Sequence, residues 1–170
     1  MQKLIETSLE LAARNLSYKY GSADPASGGM DCSGFIYHVL RENGLGDVPR
    51  DSSGQYVWVR KAGNFVPVIS HNEDSFEMEQ LKPGDLLFWT GTYDINRDPP
   101  ITHVMIYAGR EKSTGRRIML GASDGRTYHD KSRWGVSVFD FKVSRPGRTA
   151  ANGRTPDFVG YGRIPGLGER

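Results

Sequence analysis

The chain has 170 residues, a formal net charge of +2, 37% hydrophobic and 25% charged residues. That length and mix fit a single soluble domain over residues 1–170 with a buried core. The small charge excludes an argument for nucleic acid. The basic residues near the end (Lys142, Arg145, Arg148, Arg154 and Arg163) read either as a solvated face or as a contact for an anionic polymer.

No apolar run approaches the roughly 18 residues of a membrane span, so none is expected. The segment MQKLIETSLELAARNL has acids inside its apolar stretch and no small-residue cleavage pattern, so it does not read as a secretory signal. One cysteine, Cys32, makes no internal disulfide. The histidines His38, His71, His103 and His129 lack ligand spacing, and neither metal nor cofactor is expected.

In chain order, Leu4, Ile5, Leu9, Leu11, Ala12 and Leu16 recur at a helical period and predict a first helix over 3–16. Turn formers fill SYKYGSADPASGG. A second helix starts near Asp31, buries Phe35, Ile36, Val39 and Leu40, and stops at Asn43 and Gly44. A short helix follows, capped by Asp51, Ser52 or Ser53, and another helical turn ends at Pro83. The period then changes. DLLFWT, THVMIYAG, RRIMLGAS, GVSVFDF and DFVGYGRI read as strands, with loops over 91–100, 109–116 and 145–157. Helices first and strands later predict an α+β fold, N-terminal helices packed on an antiparallel sheet of about five to six strands.

Cys32 falls at the start of the second helix. A thiol works as a nucleophile only when ionised, and helix N-terminal N–H groups lower cysteine pKa values to about 3.5–7.5 in known cases. Those N–H groups also suit an oxyanion. Asp31 opposes ionisation, so a proton-accepting partner is needed, and histidine is the usual one. His38 lies about 240° around the same helix. His71 and His129 fall in loops. His103 opens a strand, on one face with Met105 and Tyr107. On these grounds alone Cys32 is either a buried structural thiol or a nucleophile paired with His103.

Several motifs in order narrow the choice. YKYG (18–21), DCSGF (31–35), VPRDSSGQ (48–55), LKPGDLLFW (81–89), THVMIYAG (102–109) and YGRIPG (161–166) together resemble the NlpC family of bacterial cell-wall cysteine peptidases, which share a reduced papain-like fold. The resemblance implies Cys32 as nucleophile and His103 as general base. It also implies that Tyr18, Asp31 and Ser33 line the pocket and hold the free amino end of a peptide stem. Asp31 serves equally well as the N-cap of its helix.

The family usually has a polar residue, often histidine, that orients the imidazole from the next strand. Here RIMLGASDG puts Gly121 at that place. Ser123, on the same face, is the first candidate for the role, with Asp124, a backbone carbonyl or a water as alternatives.

The resemblance implies hydrolysis of an amide bond in peptidoglycan stem peptides, between D-glutamate and the diamino acid, in the periplasm or outside the cell. With no signal visible, a delivered antibacterial amidase with an immunity protein as partner is a second form of the same reading. A thiol acyltransferase using the same pair and a catalytically degenerate peptidoglycan-binding domain are the alternatives. Trp58, Trp89, Tyr93 and Trp134 either border a groove or fill the core.

Overall fold

The computed structural model describes residues 2–92, 96–143 and 157–167. Tyr93 and residues 145–156 of the expected loop lie outside the described residues. In chain order the elements are α1 (Gln2–Ala12), β1 (Ser17–Tyr18), β2 (Gly29–Met30), α2 (Cys32–Glu42), α3 (Ser52–Lys61), β3 (Phe65–Pro67), β4 (Leu86–Thr90), β5 (Ile101–Arg110), β6 (Arg117–Tyr128), β7 (Lys131–Asp140) and β8 (Asp157–Gly162). Single 3-10 turns form at Pro25–Ser27 and Phe76–Met78. Among the described residues no helix is long and apolar enough to cross a membrane.

The α+β reading is borne out. Six strands form an antiparallel sheet in the order β3-β8-β4-β5-β6-β7, and β1 and β2 make a small parallel pair. Three boundaries differ from expectation, each for a local reason. Helix α1 stops before Leu16 because Asn15 turns to φ 58° and the Leu16 carbonyl instead accepts from Val136 N–H at 3.0 Å, docking the chain on β7.

The loop expected at 109–116 is shorter, since β5 and β6 pair out to Arg110 and Arg117. Beyond Ser123 the apolar alternation fades, yet β6 and β7 continue to a tight turn at His129 and Asp130, both at positive φ. The Asp140 carboxylate accepts from both of their N–H groups, at 2.9 and 3.0 Å. Turn chemistry, rather than hydrophobic pattern, extends that hairpin.

The sheet is buried on both faces. Leu86, Phe88, Val104, Ile106, Leu120 and Val136 pack against Leu4 and Leu11 of α1, Phe35, Ile36, Val39 and Leu40 of α2, and Val59 of α3. The opposite face gathers Leu87, Trp89, Met105, Tyr107, Met119, Phe139, Phe158 and Tyr161. Strand β4 therefore reads as an unbroken apolar run, because both sides of it are covered. Trp89 is core, its indole N–H donating to the Val143 carbonyl at 2.8 Å. Trp58 is partly buried, and Trp134 is exposed.

One close approach sets the geometry of the helix that carries Cys32. A Cβ on Gly34 would lie 2.0 Å from the Ser22 carbonyl oxygen, so only glycine lets the 21–22 segment lie against the first turn of α2. Backbone must move to admit a methyl there. Gly34→Ala is expected to destabilise the fold by about 1–3 kcal/mol or more in urea unfolding. Gly46→Ala, where nothing stands within 4 Å, is expected to stay within about 0.5 kcal/mol of the parent. Equal effects at both positions would contradict this account.

Candidate active site

The site begins with the cap of α2. Asp31 takes an extended conformation, and its Oδ1 accepts from Gly34 N–H at 2.7 Å. Its Oδ2 accepts from Gly21 N–H at 2.8 Å, which ties the loop before β2 to the helix start. Arg50, just before α3, lies across the same carboxylate, with Nη1 3.4 Å from Oδ1 and Nη2 3.4 Å from Oδ2. Its Nη1 also donates to Ser33 Oγ at 3.1 Å. Gln55, fully buried, donates to the carbonyls of Ser33 and Pro49 at 3.1 and 2.9 Å, locking α3 onto the start of α2.

Cys32 is 5% exposed, and its Sγ donates to the Thr102 carbonyl at 3.7 Å. Its pKa is pushed up to about 11, first by burial and second by the Asp31 carboxylate. N–H groups of Val104, Ser33 and Cys32 itself act in the opposite direction, and burial outweighs them. The resting thiol is therefore neutral. The opposition from Asp31 follows the sequence reading, which required a proton-accepting partner beyond the helix N-terminus.

The thiol meets β5 backbone on both sides of His103, at Thr102 and at Val104. His103 is 5% exposed and sits across from Trp89 in the ladder, the two rings 5.3 Å apart between centroids. The Arg126 guanidinium covers the Trp89 ring at 4.5 Å. Two other histidines are engaged elsewhere: His129 Nε2 meets Glu111 Oε1 at 2.7 Å, and exposed His71 faces Asp157 at 3.9 Å.

Gly121 lies against Met105. A Cβ at Gly121 would stand 2.8 Å from Met105 Sδ, so the thioether fills the space a side chain there would need. Ser123 is fully buried on the same face of β6, and its Oγ accepts from Gly125 N–H at 3.3 Å.

Tyr18, Asp31, Cys32 and Ser33 line one cleft of about 290 Å³, together with Tyr20, Gly21, Arg50, Asp51, Ser52 and Arg97. A larger depression of about 700 Å³ near β3 and β8, lined among others by Asp85 and Tyr161, holds neither cysteine nor histidine. The smaller cleft holds Cys32, and His103 is not among the residues that line it. Sequence reasoning missed Arg50 and Arg97 there. Arg50 stands inside the quoted VPRDSSGQ, but only a structure shows that it faces Asp31. Arg97 sits in a connection that carries no local pattern.

Alkylation by iodoacetamide tests the thiol. Its rate is expected to rise about tenfold per pH unit from pH 7 through pH 9, because ionisation lies higher still. Asp31→Asn keeps the cap to Gly34 and removes a carboxylate that raises the thiol, so it should label faster at neutral pH. A labelling midpoint below neutrality in the parent protein would contradict the neutral resting thiol.

The profile of the NlpC/P60 family matches residues 15–138. The chain is 37% identical over 97 residues, 54% of its length and 27% of the relative's, to the gamma-D-glutamyl-L-lysine dipeptidyl-peptidase of Bacillus subtilis. It is 31% identical over 145 residues, 82% of its length and again 27% of the relative's, to the gamma-DL-glutamyl hydrolase of the same organism. It thus spans about a quarter of the length of either.

A solved structure from Staphylococcus aureus, described as similar to lipoprotein and of the NLP/P60 family, superposes with a TM-score of 0.55 at 21% identity, over 96% of this chain and 40% of that one. That likeness concerns the fold, and it agrees with the papain-like arrangement of helices on an antiparallel sheet. On the extent of the match across α2, α3 and the central strands, this chain belongs to the NlpC/P60 family.

Proposed function

We propose that this chain is a cysteine amidase that hydrolyses the γ-glutamyl amide bond to the diamino acid in bacterial peptidoglycan stem peptides. The observation that carries the reading is the shared cleft, in which Cys32 stands beside Tyr18, Asp31 and Ser33. The names of the two relatives support the bond, both through a γ-glutamyl group and one through its link to lysine. Such a substrate places the enzyme in the periplasm or outside the cell.

In the proposed reaction His103 removes the Cys32 proton as sulfur attacks the side-chain carbonyl of the glutamyl residue. The oxyanion rests against N–H groups at the start of α2. The imidazolium gives the proton to the leaving amine, a thioester remains, and water hydrolyses it with His103 again as base. The atoms balance without a cofactor.

A peptide ammonium beside Asp31 would share the carboxylate with Arg50. Its charge would offset one of the two influences that raise the thiol, so an occupied site ionises more readily than an empty one. Ser123 is the proposed orienter of His103. Its burial on the histidine face of the sheet supports the role.

A second reading, a peptidoglycan-binding domain without turnover, is favoured by Met105 filling the space beside Gly121 and by the neutral thiol. The acyltransferase reading finds little support in a cleft whose apolar lining is two tyrosines.

Mass spectrometry of stem peptides decides between hydrolysis and binding. The parent protein is expected to cleave a free-amino stem peptide, and Cys32→Ala to leave it intact. His103→Ala should lower kcat by about 10²- to 10⁴-fold. N-acetylation of the peptide should weaken cleavage, since it removes the charge that meets Asp31. Binding of the peptide with no cleavage by the parent would replace the amidase with the binding domain.

A further inference from the structure

Two guanidinium groups line the cleft, and their partners differ in kind. Arg50 is matched by the Asp31 carboxylate. Arg97, on the connection between β4 and β5, donates from Nε to Ser53 Oγ at 2.7 Å, and from Nη2 to Ser52 Oγ at 2.8 Å and the Ile101 carbonyl at 2.5 Å. All three acceptors are neutral oxygens. Among the described residues no carboxylate lies within ion-pair distance of Arg97, and Nη1 takes no protein acceptor.

The two serines are themselves fixed. Ser52 Oγ donates to the Ile101 carbonyl at 2.8 Å and Ser53 Oγ to the Pro99 carbonyl at 2.5 Å, so their lone pairs are left for the guanidinium. Both serines are buried in the first turn of α3. Arg97 is thus a positive charge held through Nε and Nη2, with Nη1 left without an acceptor among the described residues, in the cleft that contains Cys32.

A γ-linked glutamyl residue differs from an ordinary acyl donor in one respect. Its side-chain carbonyl is in the amide, so its α-carboxylate is free and lies a short methylene tether from the reacting carbon. A site that selects this linkage must offer that carboxylate a donor. Charge-assisted hydrogen bonds from arginine are the strong way to do so. Of the two guanidinium groups, Arg50 already has a carboxylate.

We propose that Arg97 reads the free α-carboxylate of a γ-glutamyl group held in the cleft, and so determines specificity for this linkage. The inference rests on the γ-glutamyl reading of the site.

Two peptides test it: a γ-D-glutamyl stem peptide with its α-carboxylate, and the same peptide with an α-carboxamide. The parent protein is expected to favour the acid by about ten- to a hundredfold in kcat/KM, mainly through KM. Arg97→Gln should erase the difference between the two peptides, and Arg97→Lys should keep part of it.

Protection of Cys32 from iodoacetamide by each peptide, measured on short incubation, gives the same ratio without requiring turnover. Equal handling of acid and amide by the parent would overturn the proposal. So would an equal loss for both peptides in Arg97→Gln, which would make Arg97 only a fastener of its loop. Absence of cleavage of both peptides would overturn the amidase reading by itself, and the protection ratio would still decide the role of Arg97.

Discussion

A single carboxylate organises this site. Asp31 gathers the N–H groups of Gly34 and Gly21, one inside the helix and one ten residues before the cap, so it starts α2 and anchors the strand–loop segment bearing Tyr18 and Tyr20. Removing a carboxylate from water is costly unless donors surround it. Here two backbone donors and the Arg50 guanidinium do so. The same charge sits beside the thiol and helps to hold it neutral. Gly34 follows from the constraint as well, because the segment bearing Gly21 reaches Asp31 only where the helix lacks a side chain.

Much of the fold was legible because burial leaves periodic marks. Helix α2 shows Phe35, Ile36, Val39 and Leu40 on one face, all fully buried, and together they contribute the order of 1.5–3 kcal/mol each. The central strands carry β-branched and aromatic residues at the right spacing, and the motifs around Cys32 and His103 placed both at the ends of elements.

What was not legible is where pattern gives way to geometry. Strand β3, three residues long and half exposed, owes its existence to pairing with β8. The extended β6–β7 hairpin depends on Asp140 reaching back to its own turn. Arg50 and Arg97 both line the cleft, though far apart in sequence, because α3 and the β4–β5 connection meet there.

Near His103, one side chain fills the room that a neighbour across the sheet leaves. Met105 and Gly121 face one another across β5 and β6, and together they fill the space between the strands. Had a larger side chain stood at 121, a smaller one would be needed at 105, because packed interiors leave no room for both. The backbone ladder of the two strands starts beside them, Ile106 with Leu120 and Tyr107 with Met119, and shifts register before Gly109. The imidazole is instead packed on Trp89, which is held by its bond to the Val143 carbonyl and covered by Arg126. Aromatic packing limits rotation of the ring.

The proposed site draws on parts of different rigidity. Cys32 and His103 come from a helix start and a strand, both embedded in the core, where a small displacement would cost packing on two faces. Arg97 comes from a connection, and connections vary in length without penalty to the sheet. Several of its described residues are nonetheless bound: Thr92 Oγ1 meets Thr102 Oγ1 at 2.6 Å, Ser53 holds Pro99, and Arg97 returns to the first turn of α3. A loop fastened in this way can present a charge as precisely placed as any on a helix. In the proposed reaction the Cys32–His103 pair thus belongs to the core, and the proposed carboxylate reader Arg97 belongs to a connection tied to α3.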